Sequence, residues 1–245
     1  MNLAIDIGNT QTKFAVFDND KIIETWENSF MGSAEFKQKL ESLPLVNQII
    51  LSSVSESYER IMKRAIRKRH SVLRLSPLTP VPVNNKYKTP QTLGSDRLAN
   101  AVGATVVFPK KNVLIIDMGT CIKYDFIDKK KNYLGGAISP GFQMRFEALD
   151  NYTDRLPLLK PSKNFSLTGN DTQQSILSGV QNGIIFELNG AIDKYKKIHN
   201  ELKVIITGGD HAFFADHLKS SIFAAPNLTL TGLNEILNYN VSKKI

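Results

Sequence analysis

One cysteine, Cys121, stands in 245 residues. That excludes an internal disulfide and any metal site built from several cysteines, and it suits a reducing compartment. No apolar run approaches the roughly 20 residues a membrane-spanning helix needs. The opening Met1-Asn2-Leu3-Ala4-Ile5-Asp6 has no basic region, no long apolar segment and no cleavage site. The expectation is a cytoplasmic protein with no membrane partner.

What is present is ordinary for a globular chain, with 42% hydrophobic and 22% charged residues. The length allows two modest domains or one large one. The balance of charge is basic, formally +8 with a pI near 9.4. Such a balance serves nucleic acid or an anionic small substrate. The densest run, Lys63-Arg64-Ala65-Ile66-Arg67-Lys68-Arg69-His70, has Ile61, Met62, Ala65 and Ile66 at helical spacing. Its charges read as the solvated face of an amphipathic helix, and no nucleic-acid partner is expected.

Hydrophobic periodicity and turn residues divide the chain into alternating strands and helices. Leu3 to Ile7 reads as a strand ended by Gly8-Asn9-Thr10, followed by strands Lys13–Phe17 and Lys21–Trp26. A helix follows Ser33 with Phe36 and Leu40 on one face, then a strand from Gln48 to Val54. Four prolines between Ser76 and Pro90 make an extended connector. Asp96 to Val107 reads as a helix with Leu98, Val102 and Val106 spaced for burial. The opening pattern then returns: Leu114-Ile115-Ile116-Asp117-Met118-Gly119-Thr120 leads into the strand Ile122–Phe126. The aspartates, residues 6 and 117, lie 111 positions apart, so this is an internal duplication and not a short solenoid repeat. After a turn at Lys129-Lys130-Lys131-Asn132 come a strand from Tyr133 to Ile138 and a helix after Pro140. A long helix spans Thr172 to Ile198, and Lys203–Thr207 is a buried strand. The expected architecture is two similar α/β halves with a cleft between them, residues 1–110 and 111–245.

A strand ending in Asp-x-Gly places backbone amides where a phosphate can sit. Glycine lets the chain turn sharply, the amides of Gly8, Asn9 and Thr10 form a cradle, and the Thr10 and Thr12 hydroxyls and Lys13 add to it. Asp6 beside a polyphosphate is repelled, by about 4 kcal/mol at about 4 Å with an effective dielectric near 20. A cation between them reverses the sign, so magnesium bound through water is expected. The argument repeats at Asp117, and the two turns together suit a nucleoside triphosphate. Thr207-Gly208-Gly209-Asp210 lets an adenosine lie against the backbone, or is a plain strand-to-helix turn. In Thr92-Leu93-Gly94-Ser95-Asp96-Arg97, Ser95 or Asp96 is an N-cap, or Asp96 is a general base beside an anion-holding Arg97. Cys121 reads as a small hydrophobe and not a nucleophile, since phosphoryl transfer needs no thiol.

Asp6-Ile7-Gly8-Asn9-Thr10, Gly94-Ser95-Asp96-Arg97, Asp117-Met118-Gly119-Thr120, Gly135-Gly136-Ala137-Ile138-Ser139-Pro140-Gly141 and Thr207-Gly208-Gly209-Asp210 resemble, in order and spacing, type III pantothenate kinases. The resemblance runs to Asn227–Leu233, nearly the whole chain. It implies a duplicated ribonuclease H-like (actin-like ATPase) fold and transfer of the ATP γ-phosphoryl group to pantothenate, the first step of coenzyme A synthesis. It implies an ATP loop of Asp6, Ile7, Gly8, Asn9, Thr10, Gln11, Thr12 and Lys13, with Thr120 on phosphate as well. Asp96 becomes the proton acceptor, while Tyr87, Gly94, Ser95, Asp96, Arg97 and Thr172 line the pantothenate site. Asp117 holds a monovalent cation, potassium or ammonium, so activity is expected to need magnesium and to rise with potassium. The resemblance also implies a homodimer. Three positions depart from the family: Ser95 stands where Ala is usual, and Cys121 and Lys123 where Ala and Thr are usual. Lys123 mirrors Lys13. The rival readings are another actin-like small-molecule kinase and a non-catalytic nucleotide-dependent regulator; acceptor panels and salt-dependent DNA binding separate them.

Overall fold

The computed structural model of the chain describes residues 1–8, 10–28, 33–43, 46–53, 66, 70–219 and 221–243. Asn9, Val54 and the basic segment 61–69, apart from Ile66, lie outside these residues. In chain order the strands are β1 (Asn2–Ile7), β2 (Thr12–Asp18), β3 (Lys21–Asn28), β4 (Gln48–Ser53), β5 (Ser71–Arg74) and β6 (Asn84–Asn85). They continue with β7 (Val113–Met118), β8 (Cys121–Ile127), β9 (Asn132–Pro140), β10 (Lys203–Thr207) and β11 (Phe223–Ala224). The helices are α1 (Ser33–Ser42), α2 (Ser95–Val107), α3 (Phe142–Asn151), α4 (Thr172–Ile198), α5 (His211–Ala215) and α6 (Leu228–Ser242). Two compact units result: Met1–Lys110 with Lys130–Leu134 and Asn227–Ile245, and Lys111–Lys129 with Gly135–Pro226.

The first unit is a sheet ordered β3-β2-β1-β4-β5. β1 is antiparallel to β2 and parallel to β4, and β5 runs parallel to β4. Side chains alternate across the sheet. Leu3, Ile5 and Ile7 therefore share one face, where they join Phe14, Ile49 and Leu51 and are covered by Phe36 and Leu40 of α1. Ile66 packs against the same cluster. The other face of β1 carries Asn2, Ala4 and Asp6. Asn2 Nδ2 donates there to Asn234 Oδ1 at 2.8 Å and Asn238 Oδ1 at 2.7 Å, both on α6. The small Ala4, opposite Ala15, lets that helix approach the sheet. α6 also packs along α2. Leu98 and Val102 of α2 are buried as expected, but Val106 is 42% exposed. It lies in the last turn of the helix, where the apolar spacing no longer faces the core.

The second unit repeats the plan: β7 is antiparallel to β8 and parallel to β10, in the order β11-β10-β7-β8-β9. Leu114, Ile116, Met118, Ile122 and Tyr124 share a face with Val204 and Ile206. The stripe Ile176, Val180, Ile184, Leu188 and Ile192 of α4 covers them, with Phe142, Phe146 and Phe214. Asp171 caps α4, its Oδ1 accepting the Gln174 N–H at 2.7 Å. The chain turns between β8 and β9 with Lys131 at φ 63°. The first residues of β9, Asn132 and Tyr133, pair with β6 and belong to the first unit.

Candidate active site

In both units the aspartate is the penultimate residue of a central strand, Asp6 of β1 and Asp117 of β7. In both, the directly opposed residue on the hairpin partner is a lysine, Lys13 and Lys123. The turns differ in length. Gly8 N–H donates to Gln11 O at 3.0 Å, whereas Gly119 N–H donates to Cys121 O at 3.2 Å, so the second turn is tighter. Thr10 and Gln11 are exposed at the first turn, while Ile7 and Thr12 are buried. Lys13 Nζ lies 3.5 Å from Glu27 Oε1 on β3.

The β1 register brings the first turn toward α2. Asp6 is level with Ser52 on β4, and Ser52 Oγ is 2.9 Å from Ser95 Oγ at the start of α2. The N-cap of α2 is Gly94, with no side-chain capping bond. Ser95 and Asp96 therefore lie inside the first turn, and neither is the N-cap. Asp96 Oδ1 accepts the Arg97 N–H at 2.9 Å. A negative group is favoured at this end of a helix. The Arg97 side chain is buried, its guanidinium 5.6 Å from the centre of the Tyr87 ring. Tyr87 in turn is 6.3 Å from the Tyr133 ring, and its N–H donates to Asn85 Oδ1 at 3.0 Å. A cavity of about 330 Å³ opens beside the helix start, lined by Gly94, Ser95 and Leu98 with Ser53, Arg74 and Asn85. The first unit thus gathers Tyr87, Gly94, Ser95, Asp96 and Arg97 near the strand end that carries Asp6.

Thr120, Asp117 and Thr172 belong to the second unit. There, three glycine-bearing segments meet at the end of β7. A methyl group on Gly141 would stand 2.2 Å from Thr120 O, and one on Gly208 2.4 Å from Met118 C. Gly208 has φ +90°, a backbone that side-chain-bearing residues rarely adopt. The Asp210 N–H donates to Met118 O at 3.0 Å, and burial raises the Asp210 carboxyl above its usual range. Asp117 is level with Thr207 on one side and Lys123 on the other. Lys123 Nζ lies 2.8 Å from Asp117 Oδ2, with side chains only 16% and 11% exposed. Thr172 is exposed in the first turn of α4.

A second polar group holds the Ser139-Pro140-Gly141 segment. Arg145 Nε donates to Pro140 O at 3.0 Å, and its Nη2 to Ser139 Oγ at 3.0 Å and to Glu187 Oε2 on α4. Tyr124 O–H donates to Glu187 Oε1 at 2.7 Å. Burial opposes the Glu187 charge, but bonds from Arg145, Tyr124 and Ser139 hold its carboxyl below the ordinary range. Burial, then the bond to Glu187, pushes the Tyr124 hydroxyl well up. The sequence motifs do not reveal Arg145, Glu187 or Tyr124, because the three sit on separate elements and carry no local pattern.

A family model described as type III pantothenate kinase matches residues 2–194. The chain belongs to that family. A type III pantothenate kinase of Christiangramia forsetii is 46% identical over 243 residues, covering 98% of this chain and 99% of the relative. Among solved structures, a conserved Campylobacter jejuni protein named for the Baf family of transcriptional activators superposes with TM-score 0.64 at 22% identity, over 98% of this chain and 99% of that one. A Listeria monocytogenes protein named as an N-acetylmannosamine kinase superposes with TM-score 0.53 at 17% identity, over 98% and 99%. These likenesses carry the fold, the duplicated ribonuclease H-like arrangement of actin-like ATPases and sugar kinases. A type III pantothenate kinase is an ATP-using phosphotransferase that works with a divalent metal. Among the described residues no helix is long and apolar enough to cross a membrane.

Proposed function

We propose that this chain transfers the γ-phosphoryl group of ATP to the primary hydroxyl of pantothenate, giving 4'-phosphopantothenate and opening coenzyme A synthesis. The observation that carries the reading is the start of α2. Asp96 stands in the first helical turn, and the Ser52–Ser95 contact ties that turn to the strand that ends in Asp6-Ile7-Gly8.

Roles follow from chemistry. Phosphoryl transfer asks for positioning and charge neutralisation more than covalent help. The loop from Asp6 to Lys13, including Asn9, holds the triphosphate through backbone amides and the Thr10 hydroxyl, and Thr120 adds a phosphate contact. Asp6 would hold, through water, the magnesium that comes with ATP, and that ion would supply neutralising charge at the phosphates. Asp96 orients the acceptor hydroxyl and takes its proton. Arg97, with a planar fork suited to a carboxylate, receives the acid end of the acceptor, with Tyr87, Gly94, Ser95 and Thr172 along the chain of the substrate. A single positive charge beside Asp117 belongs to this reading; a potassium or ammonium ion is one source of it. The working form is a cytoplasmic homodimer, and the functional halves are the duplicated ones, residues 1–110 and 111–245.

A coupled assay of ADP release, with and without pantothenate, tests the reading. Release that depends on pantothenate, with phosphopantothenate recovered as product, is the expected result. ADP release indifferent to pantothenate, or no turnover with magnesium and any tested monovalent salt, would overturn it.

A further inference from the structure

Resting on the kinase reading above, we propose that Lys123 is a built-in monovalent cation: its ammonium supplies the positive charge beside Asp117 and frees the enzyme from potassium. Lys123 Nζ lies 2.8 Å from Asp117 Oδ2, and both side chains are largely shielded from solvent. The carboxylate therefore has a cationic partner of charge one already attached to the chain. A free potassium ion at the same oxygens would sit against that ammonium, and like charges in a shielded site repel. The residues present do not fit an additional ion there.

The register explains why the lysine turns to the aspartate. Lys13, the matching residue of the first unit, reaches Glu27 on the next strand, β3. The strand beside β8 on that side is β9, whose residues Asn132-Tyr133-Leu134-Gly135-Gly136-Ala137-Ile138-Ser139-Pro140 include no acid. Asp117, directly across the β7–β8 hairpin, is the acid it meets. The Gly119–Cys121 turn follows one rung beyond this pair, after Met118 and Ile122. A primary ammonium matches an ammonium ion in charge and in donor chemistry. Being tethered, it need not be gathered from solution, so the site carries its charge at any potassium concentration.

The test measures initial rates in choline, sodium, potassium and ammonium chloride at equal ionic strength, with magnesium and a potassium-free ATP salt. For the wild type, rates within about twofold of one another are expected, because its cation is covalently supplied. Lys123→Ala should lose about tenfold or more in choline, the scale of an uncompensated buried carboxylate, and regain activity with potassium or ammonium. Lys123→Arg keeps the charge and should stay active in choline. A second readout is the rise in Tm caused by a magnesium-bound non-hydrolysable ATP analogue. That rise should be equal in choline and potassium for the wild type, and potassium-dependent for Lys123→Ala.

About tenfold stimulation of the wild type by potassium overturns the proposal, and this comparison stands even where Lys123→Ala does not fold. So does a folded Lys123→Ala that is as active as wild type in choline, or one that no salt rescues. Absence of wild-type turnover in every salt instead overturns the kinase reading itself.

Discussion

A general base must sit within hydrogen-bond reach of the proton it takes, and its removal costs about 10²–10⁴ in rate. Asp96 lies in the first turn of α2, beside buried Arg97 and close to the strand end of Asp6. Asp96→Asn keeps the shape and the Arg97 N–H acceptor but loses the basicity. Turnover should fall by about a hundredfold or more, with the Tm rise on adding the ATP analogue unchanged. Near-normal turnover would remove Asp96 from the chemistry. At this scale the placement was legible: the Asp-x-Gly segments and Thr207–Asp210 fall at strand ends and Gly94–Arg97 at a helix start, as their local patterns predict. The pairing of Lys123 with Asp117 was not, because it depends on hairpin register and on the lack of acids in β9. The choice between an N-cap and an interior role for Asp96 was equally hidden, since it turns on a one-residue shift in where the helix begins.

At the scale of elements, the arginine, glutamate and tyrosine group ties the segment after β9 to α4. Arg145 holds Ser139 and Pro140, and Glu187 holds Arg145 and Tyr124. The net effect of this environment is a Glu187 carboxyl with a folded-state pKa below its unfolded value. The sign follows: the contribution is complete above the unfolded value and is lost as pH falls through the folded one. Tm should therefore decline from about pH 5 downward, and Glu187→Gln should flatten that part of the profile while lowering Tm at neutral pH. Thermal scans across an acid series check it, and identical slopes for both proteins would remove Glu187 as a cause. The long helix and the central strands were readable because their apolar period is unambiguous over many turns. The same period misplaced Val106, since spacing alone does not tell where a helix leaves the core.

For the whole molecule, the informative element is the last one. The repeated sequence motif leads one to expect a division near residue 110, whereas compactness groups Asn227–Ile245 with the first unit. Nothing local in Leu228–Ser242 says which core it covers; the docking is fixed by long-range fit. Leu228, Leu230, Leu233, Ile236 and Leu237 of α6 are buried. Asn2 of β1 bonds to Asn234 and Asn238. A methyl group on Gly232 would stand 1.8 Å from Ala99 O, so α6 lies against the backbone of α2. Each large apolar side chain fully buried contributes about 1.5–3 kcal/mol, and a whole domain is stable by only about 5–15 kcal/mol. Losing five such side chains removes most of that margin. A fragment of residues 1–110 should therefore fail to fold alone, showing weak far-ultraviolet dichroism and no cooperative melt. The same fragment joined through a flexible glycine-serine linker to residues 227–245 should regain a cooperative transition, because the linker restores the helix that covers β1 and α2. The two constructions differ only in α6 and its linker, so their melts isolate its role. A cooperative transition in residues 1–110 alone, at the temperature of the linked form, would show that the first sheet does not need this helix.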